Sequence, residues 1–317
     1  MKIETNSTVT IPVVVIYAPT ATGKTALILN LFGNGSPSFF NGKAELISAD
    51  SMQVYRGMNI GTAKPTLDEQ AKIPHHLIDI CDSKEQFSVA EFVEKSDELC
   101  SQIFERGKIP VIAGGTGFYI RNFILGLPQT PESNPEIREV LKKRISIEGN
   151  EVLYNELVKC DPESAKKIHM NDSYRILRAL EVFLSTGKPR SFFEMNSFHR
   201  SKYRFLVLIP EREREELYNR INLRVEQMFA DGLEIEVRKL ISEGAVATDP
   251  GMQGIGYREW FENSDVDVIK EEIKKNSRRY AKKQYTYMKG IANADVIKFS
   301  SEEELLDIVS KKIANFL

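Results

Sequence analysis

The sequence predicts an α/β fold, a parallel sheet flanked by helices and interrupted by a helical insertion. Three observations carry that prediction. Apolar, β-branched runs alternate with helical patterns, a loop of small residues joins the first run to the first helix, and strand patterns vanish between Leu127 and about Phe198.

Val13 to Tyr17 reads as a buried strand that breaks into Ala18-Pro-Thr-Ala-Thr-Gly-Lys-Thr25. In such a turn the backbone N–H groups face inward and the next helix points its positive end at the same spot. Ala18, Pro19, Thr20, Ala21, Thr22, Gly23, Lys24 and Thr25 therefore form a candidate phosphate cradle, and the sheet is P-loop NTPase-like. Lys24 is placed to reach outer phosphates, and the Thr25 hydroxyl is a candidate Mg²⁺ ligand. The pattern G-x-x-x-x-G-K-[ST] starts here with Ala18 in place of glycine, which fits only if that residue keeps a negative φ.

The helix continues through Ala26 to Phe32 and is broken by Gly33-Asn-Gly-Ser-Pro37. Glu45 to Asp50 and Ile109 to Thr116 are two further buried strands. Ligands of parallel sheets lie outside the carboxyl ends of the strands, so Lys24, Asp50 and Thr116 are expected to converge on one rim. Pro128, Pro131 and Pro135 mark a linker into the helical segment, and Tyr203 to Ile209 reads as a strand returning to the main sheet, stopped by Pro210. The core is thus expected to be discontinuous, residues 1–126 and 199–317, with the insertion at 127–198. From Arg212 to Ala230, Leu217, Ile221, Val225, Met228 and Phe229 keep a helical apolar face that ends at Asp231-Gly232.

With 317 residues and a formal net charge of −2, no overall field drives the chain onto nucleic acid or membrane, so any anionic polymer must be gripped by a local patch. Cys81, Cys100 and Cys160 lack the spacing of a disulfide framework or zinc site, which suits a reducing compartment. The polar first ten residues lack a signal-like apolar region and no run approaches a membrane span, so a soluble cytoplasmic protein is expected.

Asp50 ends its strand where a carboxylate serves as a Mg²⁺ ligand, a base beside phosphates or a helix N-cap. Thr116 is either a cap or a catalytic group. The strand before Gly114 offers no acid, which weakens a motor or switch NTPase reading. His75 and His76 are adjacent and make a poor metal pair. Basic residues gather at Tyr174-Arg-Ile-Leu-Arg178, at Arg220 and Arg224, and between Lys274 and Tyr287, where tyrosines interleave with cations. Each cluster is a solvated helix face unless several share a surface.

Together these segments resemble the bacterial-type tRNA dimethylallyltransferases (tRNA isopentenyltransferases). The resemblance runs from about Val13 to Tyr287. It rests on the loop Ala18 to Thr25, the signature Ile47 to Pro65 with Asn59 in place of its aspartate, Pro74-His-His-Leu-Ile-Asp79, Gly114-Gly-Thr-Gly-Phe-Tyr119, Arg175-Ile-Leu-Arg-Ala-Leu180, Met252-Gln-Gly-Ile-Gly-Tyr257 and Arg279-Tyr-Ala-Lys-Lys-Gln284. It implies transfer of a dimethylallyl group from dimethylallyl diphosphate to N6 of the adenosine 3′-adjacent to the anticodon, in tRNAs reading codons that begin with U. The loop would hold the diphosphate with Mg²⁺ as cofactor near Thr25. Asp50 would act as general base, with Thr116 touching the same nucleotide. The same resemblance implies a tRNA anticodon stem-loop contacted by Asp50, Ser51, Met52, Gln53, Thr116, Arg138, Tyr174, Arg175, Ile176, Leu177, Arg178, Gln253, Gly254, Ile255, Gly256, Tyr257 and Arg258. Tyr174 replaces the glutamine common in Q-R-x-x-R. A monomer is expected. The rival readings are a P-loop small-metabolite kinase, with ATP on the loop and the insertion as a lid, and a non-catalytic RNA adaptor.

Overall fold

The computed structural model describes residues 10–193, 200–288, 290–291 and 293–317. The chain divides into two compact units, Met1–Ile124 with Arg200–Leu317 and, separately, Leu125–His199.

In the larger unit the chain alternates strand and helix: β1 (Ile11–Tyr17), α1 (Lys24–Phe32), β2 (Ala44–Ser48), α2 (Leu67–Lys72), β3 (His75–His76), α3 (Val89–Glu105), β4 (Ile109–Gly114) and α4 (Gly117–Leu125). The smaller unit has helices and no strand among its described residues: α5 (Pro135–Glu148), α6 (Asn150–Cys160), α7 (Pro162–Lys167) and α8 (Ser173–Thr186). The larger unit resumes with β5 (Tyr203–Glu211), α9 (Arg214–Ala230), α10 (Leu233–Ser242), α11 (Glu259–Glu262), α12 (Val266–Met288), β6 (Ala294–Lys298) and α13 (Glu302–Phe316).

All six strands are parallel, in the order β3-β2-β4-β1-β5-β6. β1 sits between β4 and β5, pairing Tyr17 with Gly114 and Ile16 with Leu208. This is why its sequence is a continuous apolar run: both faces are covered. Val14 and Ile16 face a core shared with Leu27, Leu31 and Phe32 of α1 and Leu305, Val309 and Ile313 of α13. On the opposite face α3 packs along β1, β2 and β4, and its buried Phe92 stacks on Tyr119 at 4.5 Å. Since α1 begins at the carboxyl end of the central strand, the loop between them lies where the order of strands branches, the ordinary ligand position of such sheets.

Three local details depart from the expectation. Pro210 does not stop β5, which runs on to Glu211 and pairs Pro210 with Ile297. The last β1 pair is Ile16 with Leu208, so at Pro210 one side of the strand has no ladder to interrupt. Pro135 is the first residue of α5, behind an Asn134 side chain that caps Glu136 and Ile137 N–H. β3 and β6 were not signalled: β3 has two residues, and β6 is an edge strand of mostly partial burial.

Unit Leu125–His199 has its own core of Leu141, Leu153, Leu157, Ile168, Ile176, Leu177 and Leu180. Among the described residues no helix is long and apolar enough to cross a membrane.

Candidate active site

The loop after β1 is held through its carbonyl groups, which accept from side chains on several elements. Lys24 Nζ donates to Ala18 O at 2.7 Å and to Pro19 O at 2.9 Å, and the Thr22 hydroxyl donates to Pro19 O at 2.9 Å. From α9 and the segment before it, Arg220 Nε donates to Ala21 O (2.9 Å) and Arg212 Nε to Thr22 O (2.8 Å). Arg212 is itself buried and paired with Glu216 and Glu302. Positive φ falls at Ala21 (62°) and Gly23 (103°), and Ala18 is not among the positive-φ residues, so the absent first glycine is tolerated as expected.

Gln284 of α12 completes the loop. Its Oε1 accepts from Thr20 N at 3.3 Å and its Nε2 donates to Gly115 O at 2.7 Å, so one buried amide fixes the phosphate loop against the end of β4. Gly115 has to lack a side chain there, because a Cβ would lie 2.4 Å from that Nε2.

A cavity of about 800 Å³ opens in front of the loop. Thr20, Ala21, Gly23, Lys24 and Thr25 line one end. Ala18, Pro19 and Thr22, counted with the cradle from sequence, do not line it: they are buried and shape the loop from behind. Asp50, Ser51, Met52 and Gln53 form another wall, and Gln253, Gly254, Ile255 and Arg258 a third. Gly256 and Tyr257 do not reach the cavity. Tyr257 is fully buried and gives its hydroxyl to Glu236 at 2.7 Å, and buried Gly256 carries a φ of 100°, so neither offers a side chain to a partner.

Asp50 sits two residues beyond β2. Its Oδ1 accepts from Met52 N at 2.9 Å and Gln53 N at 3.4 Å, capping a turn rather than a helix, and its Oδ2 has no hydrogen bond among the described residues. One oxygen orients the group and the other is left to work. Thr116 does not line the cavity and does not cap α4 with its side chain; its Oγ1 accepts from Ser51 N at 3.0 Å and donates to Ser51 Oγ at 3.3 Å. It acts on the Asp50 segment from behind.

Sequence reasoning put Arg224 and Tyr280 only in basic clusters and Gln284 only in a family motif; the fold delivers all three to this cavity. Burial pushes Lys24 down to about 8, opposed by the Asp50 carboxylate and reinforced by Arg224. Arg224 is lowered in turn by burial and supported by Asp50. Tyr280 is pushed up to about 12 by burial and then by Asp50, while hydrogen bonds with Thr116 and Gln284 act the other way. Two cations and a carboxylate thus share one poorly hydrated space. The available signal was spacing: Arg220 and Arg224 lie one helical turn apart and flank the apolar Ile221. Beyond Arg224, Ile221, Val225 and Met228 of α9 and Ile273 of α12 give the cavity a buried apolar side.

His75 and His76 lie on β3, where His75 Nδ1 meets Ile73 O at 2.7 Å and His76 Nε2 meets Glu45 Oε2 at 2.8 Å. Among the described residues no group of three or more His, Cys, Asp or Glu side chains could hold a metal alone. Among the described residues the Thr25 hydroxyl, at the cavity end of the loop, makes no hydrogen bond and is a hard oxygen of the type Mg²⁺ takes together with phosphate oxygens.

Within the helical unit, Arg138, Tyr174, Arg175 and Arg178 form a cluster. Arg138 lies over the exposed Tyr174 ring at 5.3 Å, Arg178 reaches Pro131 O at 2.6 Å and Glu181 Oε1 at 3.1 Å, and Arg175 pairs with Asp172. Ile176 and Leu177 belong to this unit's core, 0% and 8% exposed, so the helix turns them away from any surface partner.

A phosphate loop, a partly free carboxylate and an apolar wall on a P-loop-like sheet define a site for group transfer from a phosphorylated donor. The sequence signature described as IPP transferase matches residues 53–290. A tRNA dimethylallyltransferase of Sulfurihydrogenibium sp. is 42% identical over 306 residues, 94% of this chain and 96% of that protein. Among solved structures, the full-length tRNA isopentenylpyrophosphate transferase of Bacillus halodurans shares 36% identity over 96% of each chain with a TM-score of 0.68. A eukaryotic dimethylallyltransferase acting on tRNA shares 26% identity, with a TM-score of 0.78, over 96% of this chain and 80% of that one. The chain belongs to the IPP transferase family. This membership favours the prenyl-transfer reading of the loop over the kinase reading.

Proposed function

We propose that the protein transfers a dimethylallyl group from dimethylallyl diphosphate to N6 of the adenosine 3′-adjacent to the anticodon, in tRNAs reading codons that begin with U. The observation that carries this reading is the sharing of one cavity by Lys24, Arg224 and Asp50, with an apolar wall beside them. The allylic C1–O bond breaks and a C1–N6 bond forms, the diphosphate leaving with its electron pair. Lys24, Arg224 and the loop N–H groups face the charge that develops on that leaving group. The exocyclic amine is a poor nucleophile, so Asp50 Oδ2 orients it and takes its proton as the new bond forms. Thr25 would hold Mg²⁺, which would supply charge neutralisation at the leaving group.

The acceptor base has to leave the anticodon-loop stack to enter the cavity. Gln53, Gln253, Gly254, Ile255 and Arg258 line the wall it would meet. Arg138, Tyr174, Arg175 and Arg178 supply cations and an exposed ring suited to phosphates and unstacked bases. Three free cysteines suit a cytoplasmic setting.

Labelled dimethylallyl diphosphate, Mg²⁺ and unmodified tRNA test the reading directly. Label on the adenosine beside the anticodon is expected. Absence of transfer together with ATP-dependent phosphorylation of a metabolite would restore the kinase reading.

A further inference from the structure

In the loop Asn59 to Ala63, Gly61, Thr62 and Ala63 border the cavity, and the loop's backbone is held by a side chain that the proposed reaction does not use. Glu236, on α10, accepts hydrogen bonds from the N–H groups of Asn59 (2.9 Å), Ile60 (2.8 and 3.1 Å) and Gly61 (3.2 Å). Three successive amides closing on one anion is the geometry of an anion-binding nest, and here the anion is part of the chain. The same carboxylate accepts from the Tyr257 hydroxyl, and the Tyr257 ring packs so close to Gly61 that a Cβ there would lie 2.5 Å from it. Two cavity-lining segments, 59–63 and 253–258, therefore share one anchor.

The contact continues toward the reacting end. Gln53 Nε2 donates to Thr62 O (3.4 Å) and Ala63 O (3.2 Å), and Gln53 Oε1 accepts from the Ser48 hydroxyl at 3.1 Å. Gln53 N in turn donates to Asp50 Oδ1 at 3.4 Å. A displacement of loop 59–63 is thus passed through one glutamine to the carboxylate. Among the described residues no hydrogen bond joins this relay to the phosphate loop, which is held by Arg212, Arg220, Lys24 and Gln284; Asp50 meets Lys24 only through its charge.

We propose that Glu236 is a positioning residue: through loop 59–63 and Gln53 it sets the orientation of Asp50 and the acceptor-side wall, independently of the phosphate loop. The proposal rests on the reading of Asp50 as the base. It is tested by comparing the wild-type protein with Glu236→Gln, whose terminal amide turns an N–H toward the nest, and with Tyr257→Phe, which keeps the carboxylate but cuts its link to segment 253–258. Amide hydrogen exchange in Glu236→Gln is expected to quicken at 59–63 and at 50–53 and to stay unchanged at 18–25. With dimethylallyl diphosphate and a tRNA anticodon stem-loop, kcat is expected to fall about ten- to hundredfold, the size of effect that small misplacement produces. The KM for dimethylallyl diphosphate is expected to stay within about twofold, since only uniform donor binding would move it alone. Tyr257→Phe is expected to quicken exchange at 253–258 and 59–63 and to lower kcat less, and it supplies the test if Glu236→Gln does not fold. Unchanged exchange at 50–53 in Glu236→Gln, unchanged exchange at 59–63 in Tyr257→Phe, or a raised donor KM with kcat intact, overturns the proposal. A wild-type protein inactive on tRNA would instead remove the proposed function, and the exchange pattern would still decide the relay.

Discussion

Residues 18–25 and 59–63 border the same cavity, and side chains of opposite sign grip opposite ends of their peptide groups. In the first segment, Lys24, Arg212 and Arg220 pull on carbonyl oxygens. In the second, Glu236 gathers three N–H groups. Occupying carbonyls lowers the negative potential that the phosphate loop offers an anion. Occupying amides lowers the positive potential of loop 59–63, beside which a neutral base is proposed to stand. The two loops differ in what is used up holding them, and the remainder decides what each can bind.

The largest expected effect breaks the comparison on the acceptor side. Asp50→Ala should lower transfer about 10²- to 10⁴-fold, the range for a lost general base. tRNA affinity, measured by filter binding, should change only a few-fold; equal loss of both would make Asp50 a turn cap. On the donor side, Lys24→Ala should cut kcat/KM for dimethylallyl diphosphate about 10²- to 10³-fold, the loss seen when a preorganised charge stabiliser is removed. Because the folded protein holds Lys24 at about 8, below its ordinary value, its charge is present below that pH and is lost as pH rises through it. Donor affinity should therefore weaken above pH 8 in the wild-type protein, and a Lys24→Arg variant titrated by the same donor-binding assay should lack that step.

A smaller effect is expected from Arg212→Ala, which leaves Thr22 O without its donor and separates α13 from the loop. A loss of about 1–3 kcal/mol in urea unfolding, with a raised donor KM, matches an orphaned buried acceptor. The smallest belongs to Ala21, held at a φ of 62°. Ala21→Gly relieves the left-handed strain but frees the unfolded chain, so its net change in stability should lie within about 1 kcal/mol. Ala21→Val should be clearly worse, since a β-branched residue resists that conformation.

The donor side was the legible part of the sequence. A strand, a small-residue loop and a helix follow one another in the chain, so Lys24, Thr25 and the tolerated Ala18 could be read from local rules. Asp50 was placed because strand ends in parallel sheets share a rim. Arg224, Tyr280, Gln284 and Glu236 were not placed because they come from helices whose rotation and docking depend on packing between α9, α10 and α12. A basic helix face looks the same in sequence whether water or a cavity covers it. Thr116 stands at the expected strand end, and its hydroxyl meets Ser51 and the cavity-lining Tyr280, partners that the sequence did not signal. Ile176 and Leu177 show a different failure, in which a contiguous motif crosses from the exposed to the buried side of one helix.

Gln284 also sets a schedule. It lies 264 residues beyond Thr20, the loop amide it steadies. During synthesis at about 5–20 residues per second, the donor loop emerges and waits for a further 264 residues before its brace exists. Nascent chains lacking α12 should carry the loop sequence without a settled grip on the diphosphate, so substrate competence should arrive only after α12 has emerged.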